Sequence, residues 1–94
     1  MSMSGLHVTF RKIVETRRIF DHCPTCERRT RKWGEYEHWF GWTVTCTICG
    51  ERWENGDRCP RPFERGWRAR QAEWARKQYQ VSLVRKEAPH DLRQ

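Results

Sequence analysis

The sequence predicts a small α+β fold in which an antiparallel β-ribbon, clamped by four cysteines, is followed by a C-terminal amphipathic basic helix. Three observations predict it. Cys23, Cys26, Cys46 and Cys49 form the pattern C-x2-C-x19-C-x2-C. The residues between the two pairs are rich in aromatic and β-branched strand formers. From Phe63 to about Lys86 the chain is rich in Arg, Ala, Gln and Glu, without proline and with only Gly66 against a helix.

Ninety-four residues bound the chain to one compact unit, and only 13 of them are Val, Ile, Leu or Met. Aliphatic burial is too scarce to hold such a chain folded, so a covalent or metal staple is expected. No run of 18 apolar residues exists and no signal-peptide pattern opens the sequence, which predicts a cytoplasmic protein with no membrane contact. In a reducing compartment paired C-x2-C motifs favour metal ligation over disulfides.

In chain order, residues 1–19 open with the turn-like Met1 to Gly5, read as disordered, and continue with alternation of Leu6, Val8 and Phe10. Ile13, Val14 and Ile19 extend this β-leaning stretch into Cys23. Residues 20–59 form the cysteine module. Gly34 and Gly41 punctuate it, Trp33, Tyr36, Trp39, Phe40, Trp42 and Val44 supply the β-arms, and Asn55-Gly56 suits a tight turn with positive φ. Residues 60–88 form the helix unit, in which Pro60 and Pro62 prevent the helix from extending backward. Within it Phe63, Trp67, Trp74 and Val81 make one stripe, and Ala72, Ala75, Tyr79 and Leu83 make a second, so one can pack while the other stays available. Residues 89–94 read as a flexible tail.

The chemistry rests on the four cysteines. Two intervening residues let a tight turn aim both sulfurs of a pair at one point, and two such turns face to face make a tetrahedral site. The donor set implies one structural Zn2+, with iron the lesser alternative. Four protein ligands leave no position for substrate or water, and no nucleophile elbow, phosphate-binding glycine loop or carboxylate pair accompanies them, so an enzyme is not expected. Gly50 permits positive φ after the second pair, whereas Glu27 holds the matching place after the first. Cys59 reads as a reduced cysteine beside the turn, and His22 and His38 are not needed as ligands.

These residues resemble a zinc ribbon: Cys23-Pro24-Thr25-Cys26, then Cys46-Thr47-Ile48-Cys49-Gly50 with Trp53, across roughly residues 20–59. The wider pattern, with Trp39-Phe40-Gly41-Trp42, Gly56-Asp57 and Pro60-Arg61-Pro62-Phe63-Glu64-Arg65-Gly66-Trp67-Arg68, resembles small zinc-ribbon proteins encoded by actinobacterial phages. That resemblance implies a host-cytoplasmic protein of viral origin and names no activity, since zinc ribbons serve both nucleic-acid binding and protein docking.

The net charge of +7 divides into +3 over residues 1–19, −1 over 20–59 and +5 over 60–94, so a polyanion is drawn first to the flanks. Arginine outnumbers lysine 15 to 4, which suits bidentate phosphate contacts and stacking, although a GC-rich genome enriches arginine too. The expected function is therefore DNA or RNA binding through Arg28, Arg29, Arg31 and Lys32 of the module and Arg65, Arg68, Arg70, Arg76 and Lys77 of the helix. Trp39, Trp74 and Tyr79 are candidate aromatic contacts, although most rings in so small a core have to cover the sheet and helix. The alternative is a protein-interaction module that docks on a host transcription, translation or defence complex through the same exposed rings. Oligomeric state is not legible.

Overall fold

The computed structural model describes residues 12–93, so the alternation at Leu6, Val8 and Phe10 and the opening Met1 to Gly5 lie outside the described residues. Five strands, β1 (Ile13–Cys23), β2 (Arg28–Glu37), β3 (Gly41–Cys46), β4 (Arg52–Glu54) and β5 (Asp57–Arg58), form one antiparallel sheet in chain order. The helix α1 (Trp67–Arg93) follows. The predicted α+β class, β-ribbon then helix, is what is observed.

Register brings the cysteine pairs together. Ile19 pairs with Lys32, and Lys32 pairs with Cys46, so the turn leaving β1 at Cys23 and the turn leaving β3 at Cys46 sit at the same end of the sheet. Cross-strand partners share a face. One face carries Ile19, Gly34, Trp42, Val44 and Trp53, where Gly34 keeps room for Ile19 and Trp42. The other carries Phe20, Arg31, Trp33, Thr45 and Arg52, and α1 lies on it: the Arg52 guanidinium sits 5.3 Å from the centroid of the Trp74 ring.

Among the described residues the buried apolar side chains are Cys23, Trp33, Cys46, Ala72 and Ala75. The centre of the fold is thus the cysteine turns with one tryptophan and two small helix residues, as the shortage of aliphatics predicts. Of the two helix stripes, the alanine one packs. A methyl side chain lets the helix backbone approach closely, and an ideal Cβ on Gly50 would fall 2.3 Å from the Arg68 carbonyl oxygen and 3.2 Å from the Ala72 nitrogen.

The helix begins at Trp67 rather than Phe63, because Gly66 adopts φ +81° and residues 63–66 form a bend and turn. A left-handed residue cannot continue a right-handed helix backward. At its other end α1 runs through residues 89–93, which the sequence reading places in a tail. No helix among the described residues is long and apolar enough to cross a membrane.

Candidate metal centre

Two turns build the centre. In Cys23-Pro24-Thr25-Cys26-Glu27 the Glu27 amide donates to the Cys23 carbonyl at 2.7 Å, and in Cys46-Thr47-Ile48-Cys49-Gly50 the Gly50 amide donates to the Cys46 carbonyl at 3.1 Å. Both fifth residues have left-handed backbone, φ 58° at Glu27 and 79° at Gly50. The two turns therefore share one shape, with a glutamate accepting in the first a conformation that glycine takes freely in the second.

The sulfurs of Cys23, Cys26, Cys46 and Cys49 all lie within 4.8 Å of one another. Cys23 Sγ is 3.7 Å from Cys49 Sγ, and Cys26 Sγ is 3.9 Å from Cys46 Sγ. A tetrahedron with metal–sulfur bonds of about 2.3 Å has edges of about 3.8 Å, which these two separations match, and the 4.8 Å bound on the rest keeps all four thiols within reach of one ion. Cys59 stands outside the cluster, and neither His22 nor His38 joins it.

Donors converge on the sulfurs. The Ile48 amide reaches Cys46 Sγ at 3.4 Å, the Thr30 hydroxyl lies 3.2 Å from the same sulfur, and the Glu51 amide reaches Cys49 Sγ at 3.5 Å. Burial pushes the Cys46 thiol up, but the amides of Cys49 and Ile48 and the Thr30 hydroxyl outweigh it and bring the pKa down to about 7. Burial, then the charge on Cys46, raises Cys26 to about 11. Burial likewise drives Cys49 upward. One sulfur is prepared as a thiolate and its neighbours resist ionising beside it, which is how a multi-thiol site behaves until a cation neutralises the shared charge.

Around this centre the helix docks on the second turn. Arg76 Nη1 donates to the Thr47 carbonyl at 2.8 Å, Gln71 Nε2 to that of Gly50 at 2.6 Å, and Arg68 Nη1 to that of Cys49 at 3.4 Å. Next to it the Glu51 carboxylate, 1 % exposed, holds Arg61 at 2.7 Å, Arg68 at 3.2 Å and Arg58 at 3.9 Å. Glu51 is a structural anchor that motif spacing does not reveal; its one sequence signal is an acid following Cys49-Gly50 in an arginine-rich chain.

The basic candidates separate into groups. Arg68 is engaged by Glu51, and Arg70 pairs with Glu64 at 2.8 Å. Lys32 is buried, donates to the His22 carbonyl and lies 5.5 Å from the Trp53 ring centroid, so it serves the sheet face opposite the helix. Arg65 is exposed, and Lys77 lies along a shallow groove with Glu73 and Val81. Arg28, Arg29, Arg31 and Arg76 come together instead. With Phe20 and Tyr79 they line a cavity of about 370 Å³ between the start of β2, the second cysteine turn and α1. No carboxylate lines it, and among the described residues none of these four guanidiniums is ion-paired.

The aromatic candidates diverge as well. Trp39 is 81 % exposed at the tip of the β2–β3 hairpin, Phe40 beside it is 52 % exposed, and both are turn residues. Trp74 is half-buried under Arg52, and Tyr79 is half-buried at the cavity wall. Phe20, 53 % exposed, is not marked by any motif; the register of β1 on β2 sets it opposite Arg31. No protein-family model, curated protein or solved structure matches this chain.

Proposed function

We propose that this protein is a non-enzymatic zinc-ribbon module that binds nucleic acid. A cluster of four sulfurs, two buried and two half-buried, all within 4.8 Å of one another, suits Zn2+, which prefers tetrahedral thiolate sites. The ion closes the two turns, and the second turn in turn seats the helix, so the metal's role is to hold the basic cavity in shape. The observation that carries the functional reading is that cavity: four arginines from two elements line one space, and no carboxylate lines it with them. Each guanidinium keeps donors in a planar fork matched to phosphate oxygens.

The test is a salt titration of binding to labelled oligonucleotides by the zinc-loaded chain. Affinity falls linearly on a log–log plot, and replacing Arg28, Arg31 and Arg76 by Gln weakens binding to many sequences and flattens the slope by about 0.7–0.9 per residue. Arg70→Gln, at a residue already paired with Glu64, changes it little. Binding that is absent, or insensitive to salt, rejects the reading.

A second reading has its own observation, the projecting Trp39 and Phe40 at the hairpin tip. There the protein docks on a host protein complex through an aromatic knob, since exposed aromatic anchors are what protein interfaces enrich. A complex recovered after nuclease treatment, and lost with Trp39→Ala while the arginine replacements leave it intact, selects this reading over the first.

A further inference from the structure

From the walls of the arginine cavity we infer that it accepts an unpaired nucleotide, phosphate and base together, so that the chain prefers single-stranded nucleic acid to a duplex. The inference rests on the nucleic-acid reading above and specifies what enters the site.

The cavity, about 370 Å³, falls within the range of pre-formed small-ligand sites, roughly 300–1,000 Å³. Its lining is mixed in a particular way. Guanidiniums on β2 and α1 supply the anion contacts, while Phe20 on β1 and Tyr79 on α1 supply ring surfaces in the same space. Arg76 is held in place by its bond to the Thr47 carbonyl at 2.8 Å, which uses one of its five N–H donors. The Arg29 guanidinium lies over the Phe20 ring, 4.5 Å from its centroid, and also donates to the Phe20 carbonyl at 3.2 Å, so ring and guanidinium already form a cation–π pair. A nucleobase is a planar group that stacks on such aromatic rings and guanidiniums.

Strand class follows from geometry. In a duplex the base faces are stacked inside and only base edges, sugar and phosphate are exposed, so the two rings find no face to stack on. In a single strand the base turns out and reaches the rings while its phosphate stays with the arginines. A site for phosphate alone has no use for Phe20, which stays 53 % exposed to solvent instead of joining the core.

The experiment compares a 12-nucleotide single strand, a duplex of equal length and an abasic strand of equal charge, each titrated by anisotropy against the full zinc-loaded chain at one salt concentration. The single strand is expected to bind at least about tenfold tighter than the other two, in keeping with stacking of one base. Phe20→Ala is expected to lose about that factor for the single strand only. Because Phe20 is exposed, this variant keeps the fold, verified by its zinc content and circular dichroism. Equal affinity for all three probes, or indifference to Phe20→Ala, overturns the inference while leaving phosphate binding through the arginines standing. Failure of every probe to bind removes both.

Discussion

Glu27 and Gly50 occupy the same place in the two cysteine turns and share a left-handed backbone, φ 58° and 79°, yet their surroundings differ. Glu27 is exposed, whereas Gly50 is pressed against α1. Opposite outcomes are expected from substitution. Glu27→Gly removes a left-handed strain of about 1–2 kcal/mol but adds about 0.5–1 kcal/mol of unfolded-chain entropy, so it is stabilising by up to about 1.5 kcal/mol. Gly50→Ala drives a methyl into the Arg68 carbonyl and costs about 2–4 kcal/mol from overpacking and strain combined. Urea denaturation of the zinc-loaded variants measures both.

Metal uptake is expected to release protons. With the Cys26 pKa at about 11 and that of Cys49 also raised, both thiols are protonated at neutral pH in the metal-free chain. A cation that needs four thiolates has to displace those protons, so affinity falls as pH falls. Two obligatory protons give an apparent association constant that rises at least about 100-fold per pH unit between pH 6 and 8. Chelator competition across that range checks the slope, and calorimetry in buffers of different ionisation enthalpy counts the protons. A slope near zero contradicts the four-thiolate site. One ion per chain is expected, and serine at Cys23, Cys26, Cys46 or Cys49 abolishes its tight binding.

Neutralising Glu51 is expected to loosen the helix before it harms the sheet. Its carboxylate gathers Arg61 from the proline segment and Arg68 from the first turn of α1, and it is 1 % exposed while the arginines are 46 % and 44 % exposed. Breaking a fully buried pair costs about 3–5 kcal/mol. Because water still reaches these guanidiniums, Glu51→Gln is expected to cost less, about 2 kcal/mol. Hydrogen exchange is the discriminating measurement: amides at the start of α1 exchange faster, while those of the β1–β2 pair keep their protection.

What could be read from the chain alone follows from how local each feature is. Cys23 with Cys26 and Cys46 with Cys49 are neighbours in sequence, so their turns and the ion they imply are visible in spacing. Asn55-Gly56 is equally local, and it forms the β4–β5 turn with φ 51° and 92°. Features that depend on register or docking were not legible. Lys32 belongs to a basic run that reads as surface, but its pairing with both Ile19 and Cys46 buries it in the middle of the sheet. Trp39 and Phe40 obey no inside–outside alternation because the hairpin turns at them. The convergence of Arg28, Arg29 and Arg31 with Arg76 requires α1 to lie across β2, which helix periodicity does not specify.

Asn55 ties the two hairpins together, and removing its side chain is expected to slacken the aromatic tip. Its Oδ1 accepts from the Trp42 amide at 3.1 Å, and its Nδ2 donates to the Phe40 carbonyl at 2.7 Å. Gly41 makes the approach possible, since a Cβ there would meet Oδ1 at 2.4 Å. Asn55→Gly keeps the left-handed turn and deletes only these two bonds, each worth about 0.5–1.5 kcal/mol net, with solvent exposure favouring the lower figure. A loss of about 1 kcal/mol is therefore expected on denaturation. Relaxation of the Trp39 indole N–H should report greater motion while the Trp33 indole, bonded to Glu35 Oε2 at 3.0 Å under the helix, is unchanged. If both indoles respond alike, the substitution has disturbed the whole sheet, and Asn55 is not the local brace that its two bonds describe.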